Sequence, residues 1–137
     1  MRTGTPTPGR RATGDRGSMP LELVIVFPVV LLIIGVIIEG ALYYHARNVA
    51  LAAAQEGLRA ERVESGTVSD GAARSRQFID AAGGTEVITG VRITPFRGAT
   101  RASITVTGHA PSIVPGLRLP QITQTAQGAV ERFTTGP

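Results

Sequence analysis

Residues 23–38 run sixteen positions without a charge, and apolar side chains fall on every face of a helix drawn through them. Residues 19–42 make 24 in all. That is about 36 Å of helix, against a hydrocarbon layer of about 30 Å. A helix that is apolar all round has to be covered on every side, and the roughly 75 residues after residue 62 are too few to do it. The pattern predicts a membrane span. A cleaved secretory signal fits less well, because the run is long for its apolar core and Glu39 falls where cleavage should follow.

After the span the pattern changes period but stays helical. Residues 43–62 are rich in alanine and contain no proline; Tyr44, Leu51 and Leu58 recur at seven-residue spacing. Ala46, Ala50, Ala53 and Gly57 form a second stripe of small side chains on one helical face. One helix over about residues 20–62 is expected. The small stripe fits packing either against the protein's own C-terminal domain or against a helix of another subunit. Ser65, Gly66 and Thr67 break the helix. Ser69 or Asp70 then caps a second helix over 70–82, with Ser75, Phe78, Ile79 and Ala82 on one face, until Gly83 and Gly84 stop it. Alternation at Val87, Thr89, Val91 and Ile93, and again at Ala102, Ile104 and Val106, predicts strands over 86–94 and 101–107, joined as an antiparallel hairpin around residues 95–100. Residues 111–120 hold three prolines and read as a loop, and 121–133 as a third strand. The class is therefore α+β and membrane-anchored: a long N-terminal helix, a small helix and a three-stranded antiparallel sheet. Its expected parts are a basic tail (1–17), a transmembrane helix (18–42), an extramembrane continuation (43–63) and a small domain (64–137).

Charge refines the picture by region. The net charge is +4, and all 14 basic residues are arginine, a bias ascribed to a GC-rich genome. Arg2, Arg10, Arg11 and Arg16 precede the span in a short tail, so the tail is expected to stay in the cytoplasm and the chain after the span to cross. This places the protein in the cytoplasmic membrane as a single-pass chain with its N-terminus inside. Tyr43 and Tyr44 then lie where an interfacial aromatic pair belongs. Beyond residue 43, ten Arg are mixed with seven acids. Without a basic stripe or stacking aromatics, that surface does not read as a nucleic-acid site. The absence of cysteine excludes disulfides, thiolate metal sites and thiol nucleophiles.

Within the span, Pro28 removes the helical donor to the carbonyl of Val24, so a kink or local loosening is expected. Gly35 and Gly40 allow a neighbouring helix to come close. Glu22 stands out, because a carboxylate in a membrane helix costs several kcal/mol unless it is paired or near the interface.

The stretch Arg16, Gly17, Ser18, Met19, Pro20, Leu21, Glu22 ends a basic tail with a glycine and sets a glutamate five residues later. This resembles the processing site of type IV prepilin-like proteins. The order Glu22, Pro28, Glu39, Gly40, Tyr43, Tyr44, Arg47, then Glu56, Gly57 and Arg59, resembles the TadE-like family, pseudopilin-type proteins of tight-adherence (Flp) pilus assembly, over about residues 16–60. The resemblance implies cleavage after Gly17 by a prepilin peptidase, leaving Ser18 as the new N-terminus. It also implies that Glu22 pairs with the terminal ammonium of an adjacent subunit. The implied partners are other pilin-like or Tad assembly proteins and the bilayer, with no cofactor and a pilin-like fold.

Enzyme chemistry finds no support in the pattern. His45 and His109 are the two histidines, and neither Glu39 nor Glu56 lies three or four residues from His45, so no metal site is expected. Gly83 and Gly84 lack the lysine of a phosphate loop. Two other functions remain open. One is a membrane-anchored extracytoplasmic binding module unrelated to pili; the other is a DNA-handling pseudopilin, whose affinity would fall steeply with salt.

Overall fold

The structure, a computed structural model, describes the backbone of residues 18–131 and the side chains of residues 23–131. Helix α1 spans Ser18–Arg62, α2 spans Val68–Ala81, and a short 3-10 turn follows at Gly84–Glu86. Strands β1 (Thr89–Arg97), β2 (Arg101–His109) and β3 (Ile122–Ala129) form one antiparallel sheet in that order. The chain divides into two units at residues 34 and 35.

The first unit is the N-terminal part of α1. The helix runs unbroken through Pro28. Fourteen large apolar side chains between Leu23 and Ile38 are exposed. Even at about 1 kcal/mol each, leaving them in water would cost as much as a small domain's whole stability of about 5–15 kcal/mol. A bilayer removes that cost, and α1 is long and apolar enough to cross one.

The second unit is a sheet with helices on one face. Ala102, Ile104 and Val106 of β2 and Ile122 and Ala126 of β3 turn inward, and Val91 and Ile93 of β1 join them half-buried. They meet Ala46, Val49, Ala50, Ala53, Ala54 and Leu58 of α1, together with Ile79 and Ile88. The outward face, with Thr94, Thr105 and Thr125 in register across the three strands, is polar apart from exposed Phe96. Alanine dominates the helical side of the contact, so the α1 backbone comes close to the sheet. The small stripe at Ala46, Ala50, Ala53 and Gly57 is thus buried against the protein's own domain.

Local boundaries differ from the sequence expectation for identifiable reasons. The cap of α2 is Thr67, not Ser69 or Asp70. Thr67 Oγ1 accepts from the Asp70 amide at 3.2 Å and Asp70 Oδ2 accepts from the Thr67 amide at 2.9 Å, a reciprocal capping box that starts the helix at Val68. Strand β1 begins at Thr89 rather than 86, since the 3-10 turn takes up residues 84–86. It continues through Pro95 to Arg97, so only Gly98, Ala99 and Thr100 make the turn. Pro95 is tolerated because β1 is an edge strand. Strand β2 extends to His109, and β3 is confined to Ile122–Ala129; Phe133 lies outside the described residues.

Candidate functional site

Two regions of α1 carry the residues singled out by sequence. Of those in the span, Gly17 lies outside the described residues, and Ser18 and Glu22 lie on α1 with side chains outside them. A Cβ added at Gly35 or Gly40 would meet nothing within 4 Å, so neither glycine is required by a contact within the chain. Pro28 is exposed among the apolar side chains.

Beyond the span, α1 is fastened to its own domain at three levels. The first is Glu39, only 5% exposed despite following the uncharged run. Its Oε1 accepts three hydrogen bonds from the loop after β2: from Ser112 Oγ at 2.8 Å, the Ile113 amide at 2.8 Å and the Val114 amide at 2.9 Å. Oε2 is buried with no partner among the described residues. The loop is shaped for this. Leu117 N donates to Val114 O at 3.2 Å, with Pro115 and Gly116 (φ +81°) at the two central positions. That is the pattern of a type II turn, whose third residue needs positive φ. A cleft of about 700 Å³ opens behind the loop, lined in part by Thr89, His109, Leu117 and Arg118.

The second level is the crossing of α1 and α2. A Cβ at Gly57 would stand 2.0 Å from Ser75 Oγ and 2.6 Å from Gly71 O, so only glycine permits this approach. Buried Ser75 donates from Oγ to Ala53 O at 2.9 Å. Glu56 bridges the same two helices: it pairs with Arg59 at 2.9 Å and with Arg74 of α2 at 3.6 Å. These exposed pairs contribute only tenths of a kcal/mol.

The third level is Arg62, at the end of α1. Its Nε donates to Ala129 O at 2.8 Å and its Nη2 reaches Glu131 at 3.3 Å, while its carbonyl accepts from the Glu131 amide. The end of α1 therefore closes the end of β3. Arg47 and Arg59 face solvent, as do Tyr44, His45, Asn48 and Gln55. That face of the C-terminal part of α1 is polar.

Sequence reasoning missed Glu61. It is fully buried beneath Gly71 and Ile104, and neither carboxylate oxygen has a hydrogen-bond partner among the described residues. Burial pushes its carboxyl above the ordinary glutamate range, and Arg97 opposes the shift. Arg97 itself donates from Nη2 to Val63 O at 3.1 Å and keeps Nη1 buried with no hydrogen-bond partner among the described residues. No local signal separates Glu61 from its solvated neighbours; its depth depends on α2 crossing over it.

The arrangement is that of an α+β, pilin-like fold with a membrane anchor: one helix is long and apolar enough to cross a membrane, and its C-terminal half is built into a small sheet domain. The family model described as TadE-like protein matches residues 17–59, which lie almost wholly on α1, so this stretch of the chain is TadE-like and supports a component related to tight-adherence pili. No curated protein and no solved structure matches the chain.

Proposed function

We propose that this chain is a TadE-like pseudopilin, a structural or assembly subunit of a tight-adherence (Flp, type IV-like) pilus or related secretion apparatus. It works through helix packing inside the membrane. The observation that carries this reading is the division of labour along the TadE-like segment: the apolar side chains of residues 23–38 are exposed, whereas the small stripe from Ala46 to Gly57 is buried in the chain's own domain. A helix whose outer half already has a partner offers its intramembrane half to others.

In this reading residues 1–17 are a cytoplasmic leader, 18–42 cross the cytoplasmic membrane with the N-terminus inside, and 43–63 and 64–137 form the extracytoplasmic part. A prepilin peptidase cuts after Gly17. The ammonium of Ser18 in one subunit then meets Glu22 of the next, which removes two unfavourable charges from the membrane boundary together. Gly35 and Gly40 give the neighbouring helix room, and Pro28 loosens the helix between them and Glu22.

Expression with the cognate peptidase, followed by N-terminal sequencing, should give a chain starting at Ser18. Glu22→Gln and Glu22→Ala should insert normally and assemble poorly. Normal piliation in both would discard the charge pair. Full function after replacing residues 23–38 with an unrelated span would favour the membrane-anchored binding module instead.

A further inference from the structure

The three hydrogen bonds on Glu39 fix more than the helix. They set the depth of a loop. Glu39 is the first charged residue after the apolar run, directly beyond exposed Val36, Ile37 and Ile38. The amides of Ile113 and Val114 are held 2.8 and 2.9 Å from its Oε1. Tyr43 and Tyr44, the pair expected at the interface, lie four and five residues farther along α1, or about 6–7.5 Å. The loop is therefore held about one helical turn closer to the hydrocarbon than the aromatic belt.

Its composition suits that depth. Ile113, Val114 and Leu117 are 57, 42 and 46% exposed around the turn at Pro115 and Gly116, although the domain has a core to receive apolar side chains. Irregular backbone near a bilayer must have its polar groups satisfied. Here three of the loop's backbone donors are engaged, the Ile113 and Val114 amides by Glu39 and the Leu117 amide by Val114 O, and Pro115 has none. Conversely, a carboxylate at the membrane boundary is costly without donors, and the loop supplies three. Each side offsets part of the other's penalty, since Oε2 of Glu39 stays buried with no partner among the described residues.

We propose that the loop around residues 112–117 is a second membrane contact, seating Ile113, Val114 and Leu117 in the interfacial layer of the leaflet where the span of α1 ends. It fixes the small domain against the lipid surface at two points. The inference rests on residues 23–38 spanning the membrane, and its test separates the two.

The chain has no cysteine, so single cysteines label cleanly. Full-length Ile113→Cys, Leu117→Cys, Leu32→Cys and Gln127→Cys would each carry an environment-sensitive fluorophore. Each protein is reconstituted at low density into phosphatidylethanolamine–phosphatidylglycerol vesicles containing shallow or deep nitroxide lipids. Gln127, near the Arg62 end of the domain, is the water reference. The expected result is shallow-nitroxide quenching at 113 and 117 at least about twofold stronger than at 127, with the label at 32 quenched by the deep nitroxide. Quenching at 32 with 113 and 117 as exposed to water as 127 overturns the loop contact and leaves the span standing. Absence of quenching at 32 overturns both. Protection at 113 and 117 that arises only at high protein density assigns the loop to a neighbouring subunit and overturns the lipid contact.

Discussion

Substituting Gly57 by alanine tests the α1–α2 crossing more sharply than any truncation. The new methyl would lie 2.0 Å from Ser75 Oγ and 2.6 Å from Gly71 O. The hydroxyl can move by rotating, at the loss of its buried bond to Ala53 O; the Gly71 carbonyl belongs to the α2 backbone and cannot move unless the helix does. Overpacking of this kind costs about 1–3 kcal/mol, and a lost buried hydrogen bond about 1–3 more. The better intrinsic helix propensity of alanine returns about 1 kcal/mol. A net loss of about 1–5 kcal/mol is expected, centred near 3, which at about 4–8 °C per kcal/mol lowers the melting temperature of a domain this small by roughly 12–24 °C at that centre. Calorimetric melting of the full chain in detergent reads this directly. Adding Ser75→Gly should recover only part of the loss, because the Gly71 carbonyl still blocks the methyl. A Gly57→Ala protein within about 0.5 kcal/mol of wild type, the range of an ordinary surface change, would refute the close crossing.

Three further outcomes follow from the same geometry. Glu39→Ala leaves the Ile113 and Val114 amides without their acceptor; at about 1.5 kcal/mol for each bond, their hydrogen exchange should quicken by about tenfold or more while the β2 amides stay protected. Glu61 favours its protonated form in the folded state, so its contribution is fully present below the ordinary glutamate value of 4.5 and is lost as pH rises through the elevated value. Denaturant midpoints measured from pH 4 to 8 should fall less steeply in Glu61→Gln, with the variant the more stable at neutral pH. Thr67→Ala removes the cap of α2 and should cost about 1 kcal/mol in the same denaturation series. Asp70, held below the ordinary aspartate value by its bonds to Thr67, loses its contribution as pH falls through that lowered value, so Thr67→Ala should also flatten the acid limb.

The parts of this fold that were legible in the sequence are those governed by periodicity. The uncharged run, the seven-residue and small-residue stripes of α1, and the alternation of Ala102, Ile104 and Val106 each report a local environment that repeats. The ends of elements were less legible. The capping box gives the Thr67 hydroxyl to the Asp70 amide, although Ser69 and Asp70 are equally good cap residues by type. The 3-10 turn displaces the start of β1 into a stretch that already alternates. Long-range polar pairing was not legible at all. Glu39 finds its donors 73 to 75 residues away, and Arg62 finds Ala129 and Glu131 across a similar separation. Glu61, in turn, becomes buried only when α2 folds over it. The family resemblance marked Glu39 and Gly57 as motif positions, and the structure supplies the reasons: one ties down a loop, and the other makes room for a helix.

The central claim is that the outer half of α1 is already occupied and that its intramembrane half remains for partners. A photo-crosslinking residue placed at Leu32 or Val36, and separately at the solvent-facing Asn48 or Gln55, tests this in cells producing the whole pilus system. Crosslinked adducts to other membrane subunits should come from positions 32 and 36, with little from 48 and 55. Adducts confined to 48 and 55, with none from the apolar run, would contradict the account.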